Sequence, residues 1–169
     1  MPISLPINSP IKSILKRPFD LALIGFFSFS VFYGFLFSLP EGLGVPVSAD
    51  SPWPPLRALY DWAVLEEPGH LDPSPNLLAA CLFDGFFQAP ALVAIIFGLI
   101  RQRPWLRTLV LIYVGAAVTN MFFYFAQTFF GPHPPLNTAY YLFFNLPWLL
   151  APMILGLRVY LGKDLQPVG

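Results

Sequence analysis

Asp84 lies in the run Leu77–Phe97, where Gln88 is the only other strongly polar residue. A carboxylate at membrane depth costs roughly 2.5–3.5 kcal/mol on insertion scales, so it normally faces a bundle interior or a wet cavity and marks a functional site. Gln88, four residues on, shares its helical face. Pro90 disturbs the backbone ladder one turn further along. Together they imply a polar pocket in the middle of an apolar bundle. Asn120 and Tyr124 form a second i, i+4 pair, suited either to pocket lining or to interhelical hydrogen bonding worth about 1 kcal/mol. Asn145 and Trp148 share a face at i, i+3 in a stretch that also holds Pro147 and Pro152. Two prolines there open the helix and free carbonyls that need partners. An amide, an indole and a kink suit a pocket wall; the alternative is that Asn145 caps a freed carbonyl while Trp148 packs in the bundle.

The elements that must position these residues follow from composition. The 169 residues are 56% hydrophobic, 17% aromatic and 11% charged, against about 25% charged in a soluble domain. Charges are nearly absent from four segments, roughly 19–39, 77–100, 108–130 and 139–161. Each is near the ~20 residues a helix needs to cross a bilayer, and none alternates as a barrel strand would. The expected fold is an all-α membrane protein with a four-helix transmembrane bundle over residues 18–162, between tails at 1–17 and 163–169. Lys12, Lys16, Arg17, Arg101, Arg103, Arg107, Arg158 and Lys163 fall on one side, and only Arg57 on the other. The positive-inside rule then puts both termini in the cytoplasm.

The long first loop, about 40–76, faces the lumen in this reading. It is rich in proline, yet Leu56–Leu65 has apolar residues at helical spacing with Arg57 and Asp61 at i, i+4. A short amphipathic helix capping the bundle is expected there, with Tyr60 and Trp62 suited to the membrane interface. Ser28, Ser30 and Ser38 read as packing or backbone-bonded groups. Cys81, the only cysteine, cannot form an internal disulfide. A net charge of zero excludes an electrostatic case for nucleic acid. No phosphate loop or nucleophile elbow is present. His70 and His133 lack a second metal ligand at recognisable spacing, so neither a metal nor a cofactor is expected.

The order of these residues resembles the EXPERA-domain membrane proteins, the family of the emopamil-binding-protein sterol isomerases and the sigma-two receptor. The resemblance runs through Glu67-Pro68, Asp84, Phe87-Gln88-Ala89-Pro90, Trp105-Leu106-Arg107-Thr108, Ile112-Tyr113 and Pro147-Trp148-Leu149-Leu150-Ala151-Pro152. It implies a bundle in the endoplasmic reticulum membrane with a sterol- or amine-accepting cavity. It matches Asp84 to the acid of the second span in sigma-two-like proteins and Glu67 to the acid just before that span. Asn145 and Trp148 correspond to the isomerases' last-span Asn-x-x-Trp, whose indole faces a carbocation-like centre; a Trp face attracts cations by ~0.5–2 kcal/mol. The isomerases also carry a His and an acid in the helix matching the first span, whereas no His, Asp or Glu lies between Leu21 and Leu39 here.

The expected function is therefore binding of a sterol, lipid or cationic amphiphile, with Asp84, Gln88, Glu67, Asn145, Trp148, Asn120 and Tyr124 around one void of about 300–1,000 Å³. One alternative is a sterol or terpenoid double-bond isomerase using Asp84 and Glu67, with Trp148 stabilising the cation. Proton donation and removal need two groups; without a first-span acid Asp84 alone is a poor candidate for both, and Glu67 serves only if the first loop folds into the cavity, which weighs against catalysis. Another alternative is a structural or trafficking partner of other membrane proteins. A homodimer is compatible with all three.

Overall fold

The computed structural model describes residues 15–45 and 48–161. Most of the tail expected at 1–17, all of that at 163–169, and with them Lys12 and Lys163, lie outside the described residues. Four helices are long and apolar enough to cross a membrane: α1 (Pro18–Gly42), α3 (Pro75–Arg101), α4 (Leu106–Phe130) and α5 (Thr138–Leu161). A shorter helix, α2 (Pro54–Glu66), follows α1 and runs into a 3-10 turn at Pro68–Leu71. No strand occurs among the described residues. The protein is an integral, multi-pass all-α membrane protein.

Local chemistry sets the helix starts. Pro18, Pro54 and Pro75 occupy the first helical positions, where a missing N–H costs nothing and the fixed φ suits the helix. Ser74 accepts from the Leu77 amide at 3.2 Å, and Asn137 accepts from the Tyr140 amide at 3.0 Å, each satisfying an orphan donor of its helix. Span α3 starts two residues before its apolar segment, and α1 runs three residues beyond its own, to Gly42. That extension carries Glu41, placed in the loop by sequence, into the last turn of α1.

Prolines reshape two spans in the same way. Pro40 and Pro90 each follow a wide π-helical turn, Gly34–Ser38 in α1 and Asp84–Gln88 in α3. A proline donates no hydrogen bond, and its ring crowds the carbonyl four residues back. Widening the preceding turn relieves this, and the Leu39 and Ala89 amides bond five residues back, to Gly34 and Asp84. The disturbance attributed to Pro90 thus falls on Asp84 itself rather than a turn beyond it. In α5 the outcome differs: the helix runs through Pro147 and Pro152 uninterrupted, contrary to the expected opening.

The two wide turns face each other. A Cβ on Gly34 would lie 3.0 Å from that of Ala89, and one on Gly85 would lie 2.5 Å from that of Leu39. Glycine lets the backbones meet there, as small residues do in membrane bundles. At the other end of the bundle, Leu23, Phe27, Leu92, Ile95, Leu106, Val110, Leu155 and Val159 form an apolar core.

Beside that core, buried Asp20 receives Arg17 at 2.9 Å and Arg158 at 3.3 Å, and Arg17 also donates to the Leu99 carbonyl at 3.1 Å. One acid therefore ties the start of α1 to the ends of α3 and α5. Arg17→Ala, which removes two of these three bonds, is expected to cost about 2 kcal/mol, and Arg158→Ala about 1 kcal/mol. Thermal melts of the two variants check that order, and equal losses would contradict it.

Candidate functional site

The half of the bundle opposite the apolar core holds a chamber of about 90 Å³. Asp84, Gln88, Glu67, Asn145, Trp148, Asn120 and Tyr124 all line it. The seven come from α3, α4, α5 and the segment after α2. Asp84 Oδ1 accepts from the Gln88 amide and from Asn120 Nδ2, the latter at 3.0 Å. The face shared by Asp84 and Gln88 therefore points inward and meets the polar face of α4. Asn145 Nδ2 donates to Glu66 and, at 3.1 Å, to the Tyr141 carbonyl. It does not cap a carbonyl freed by Pro147, which would be that of Phe143.

The last residue of α2 and the turn after it supply the other wall. Glu66, Glu67 and His70 are all buried, and each reaches a different span. Glu66 meets Asn145 of α5. Glu67 accepts from Thr128 of α4 at 2.7 Å, and Thr128 accepts from Tyr141 at 3.2 Å. His70 Nδ1 lies 2.8 and 3.0 Å from the carboxylate oxygens of Glu41 on α1, which also takes the Cys81 thiol at 3.3 Å. The expected cap exists and is held at three points. Trp62 packs among Phe29, Tyr33 and Phe144, with ring centroids 5.6–6.4 Å away. Trp148 packs on Phe26 at 5.1 Å, and on Phe29 and Tyr33 at 5.9 Å.

Sequence reading missed Glu41, Glu66, His70 and Thr128. Glu41 stands two residues beyond the stretch searched for a first-span acid. His70 was considered only as a metal ligand. Glu66 carried a weak signal, as the last residue of the amphipathic helix beside Glu67. Nothing in sequence marked Thr128.

The chamber is smaller than the roughly 300–1,000 Å³ of a ligand pocket, and its size admits a small polar head or a few waters. Beside it runs a larger groove of about 710 Å³, lined by aromatic and aliphatic residues of α1, α2 and α5. Phe26, Trp62 and Trp148 border both spaces. Phe29, Phe32 and Phe143 of the groove are exposed, so it opens on the outside of the bundle.

A match to the family model EBP, the EXPERA or expanded EBP superfamily, covers residues 55–159. The chain belongs to the EXPERA superfamily. The matched region of this EXPERA protein holds α2 to α5, and α1 with Glu41 lies before it. No curated protein and no solved structure matches the chain.

Two adjacent acids in the cap give the EXPERA bundle a pH signature. Burial pushes the Glu66 carboxyl up to about 7, and the Glu67 charge adds to this against the opposing effects of His70 and the Asn145 hydrogen bond. Burial likewise raises Glu67, against the hydrogen bonds of Tyr124 and Thr128. Native values above the ordinary 4.5 mean that the folded state holds these protons more tightly than the unfolded chain. For Glu66 this contribution to stability is complete below about 4.5 and is lost by about 7. Glu66→Gln keeps an oxygen for Asn145 and removes the charge. Its melting temperature is expected to exceed that of the natural protein at pH 8, by on the order of 1 kcal/mol of stability, and to match it at pH 4.5. Parallel pH-stability curves would refute the assignment.

Proposed function

We propose that this EXPERA protein binds a membrane amphiphile, holding its polar end in the chamber at Asp84 and its apolar body in the adjoining groove. The observation that carries this is the junction of the two spaces at Phe26, Trp62 and Trp148. An apolar cleft with a few convergent polar groups is the usual form of a small-molecule site. Acids outnumber basic groups around the chamber, which favours a cationic head over an anionic one. Trp148 offers a π-face to the same charge. Family membership supports a location in the endoplasmic reticulum membrane, and the arginine distribution supports cytoplasmic termini. Asp84→Asn keeps the shape of the site and removes its charge. Binding of a radiolabelled long-chain alkylamine in nanodiscs is expected to weaken at least tenfold, with the melting temperature held or raised. Unchanged affinity would reject the site.

A second reading, double-bond isomerisation of a sterol or terpenoid, gains from one observation. The His70–Glu41 pair supplies the acid–base group that the first span lacked in sequence. One group would deliver a proton to an alkene carbon, another would take one from the allylic position, and the molecule's composition would not change. Purified protein turning over a sterol alkene in heavy water would then place deuterium in the product. No turnover would count against catalysis, and product without deuterium against separate donating and accepting groups in exchange with solvent.

A further inference from the structure

Resting on the binding reading, we infer that the head group the chamber selects is a donor of several hydrogen bonds, a primary ammonium on a long chain, rather than a quaternary ammonium or an acceptor such as a carbonyl. The orientation of three side-chain amides carries this. Gln88 and Asn120 both turn their NH₂ groups onto Asp84 Oδ1. Asn145 turns its own onto Glu66 and the Tyr141 carbonyl. A flipped amide would set oxygen against oxygen, so the acids fix which end of each amide is free. Each thereby leaves its carbonyl oxygen without a partner.

Among the described residues no donor reaches Gln88 Oε1, Asn120 Oδ1, Asn145 Oδ1 or Asp84 Oδ2. Nor is any of the four sealed from the chamber, unlike Glu67 Oε2, which is buried without a partner. Near Asp84 the lining is thus an array of acceptors with one negative centre. Tyr33 and Tyr113 line the same space, and their hydroxyls rotate to accept as well as donate. A carbonyl, ether or carboxylate would face these lone pairs with nothing to give. An R–NH₃⁺ group offers three hydrogens, and its small head suits a chamber of about 90 Å³. A trimethylammonium head is larger and offers none.

The experiment measures binding of octadecylamine, its N,N-dimethyl and its N,N,N-trimethyl derivatives to the full-length protein in nanodiscs at pH 7, with empty nanodiscs subtracted. Charge and tail are common to all three probes, so the comparison varies the donor hydrogens and head size, and the two acceptor variants below separate these. Affinity is expected to fall in that order, by at least tenfold between the first and the last. In Gln88→Met and Asn120→Leu the ratio is expected to shrink at least threefold. Equal binding of all three amines, an undiminished ratio in both variants, or tighter binding of stearic acid would overturn the inference and leave the amphiphile site standing. Binding of none of the probes would overturn both.

Discussion

His70→Ala is expected to lower the stability of this EXPERA protein by roughly 3–5 kcal/mol at pH 6, the cost of removing one partner from a buried ion pair. His70 and Glu41 are 7% and 6% exposed, and Nδ1 lies 2.8 Å from the nearer carboxylate oxygen. Without the imidazole, Glu41 keeps only the Cys81 thiol, a weak donor. The ring also stands edge-on to Phe37 at 5.3 Å, and that packing goes too. Burial disfavours the His70 charge, but the hydrogen bond and charge of Glu41 outweigh it, with Glu67 and Glu66 adding, and the imidazole titrates above its ordinary value. The folded state therefore holds this proton more tightly than the unfolded chain. The stabilisation is fully present below the ordinary histidine value and fades as pH rises through the elevated one. Melts at pH 6 and pH 9 should show the penalty of His70→Ala shrinking at the higher pH. Adding Glu41→Gln should recover much of the loss, because no charge is then left unpaired. A variant within about 1 kcal/mol of the natural protein at pH 6 would show that the pair does not hold the cap.

The same residues mark where sequence ran out. Four spans were readable because a bilayer demands ~20 apolar residues per helix, and charge clustering leaves no other partition. The inward face of Asp84 was readable because a lone acid in lipid has few other resting places. Spacing put Gln88 on the face of Asp84, but for Asn120, Asn145 and Trp148 it left pocket lining and plain packing equally open, and only the fold sets them around one chamber. The π-helical turns were not readable: proline signals a disturbance, but not that the chain answers it by widening the turn before. The continuous α5 makes the same point from the other side, since Pro147 and Pro152 withhold two amide donors without ending the helix. His70 and Glu41 escaped because their partnership spans 29 residues of chain, a pairing that only the folded cap creates. Size was misjudged for a related reason. The aromatic cluster around Trp62 and Trp148 divides the space into a small polar chamber and a larger apolar groove, and a list of lining residues cannot show a partition.

Gly85→Val is expected to cost about 3 kcal/mol or more and to damage the site as well as the fold. Along the α1–α3 contact three close approaches occur in register: Gly42 against the Leu82 backbone, Gly85 against Leu39, and Gly34 against Ala89. Rising numbers on one helix meet falling numbers on the other, so the spans run antiparallel. At Gly85 even a methyl group would sit 2.5 Å from Leu39 Cβ and 3.0 Å from Leu39 Cα. The backbone cannot swing aside as a flexible side chain does, so the two helices must part. They would part at the facing π-helical turns, where Gly34, Ser38, Asp84 and Gln88 line the chamber. Asp84 would move relative to Asn120, and binding of the alkylamine would fall in whatever fraction still folds. The control is Gly25→Val on α1, the span that Gly85 packs against, where a Cβ meets nothing within 4 Å. That change should leave the melting temperature within the equivalent of about 0.5 kcal/mol. Truncating the obstacle offers a sharper test, since Leu39→Ala clears the Leu39 Cδ1 atom, 2.8 Å from the added Cβ, but leaves Cβ and Cα in place. Rescue of Gly85→Val by Leu39→Ala should therefore be partial. Full rescue would mean that side-chain crowding, not backbone approach, sets the spacing of these helices. If Gly85→Val melted with Gly25→Val, the close contact of the two turns would have no part in holding the chamber together.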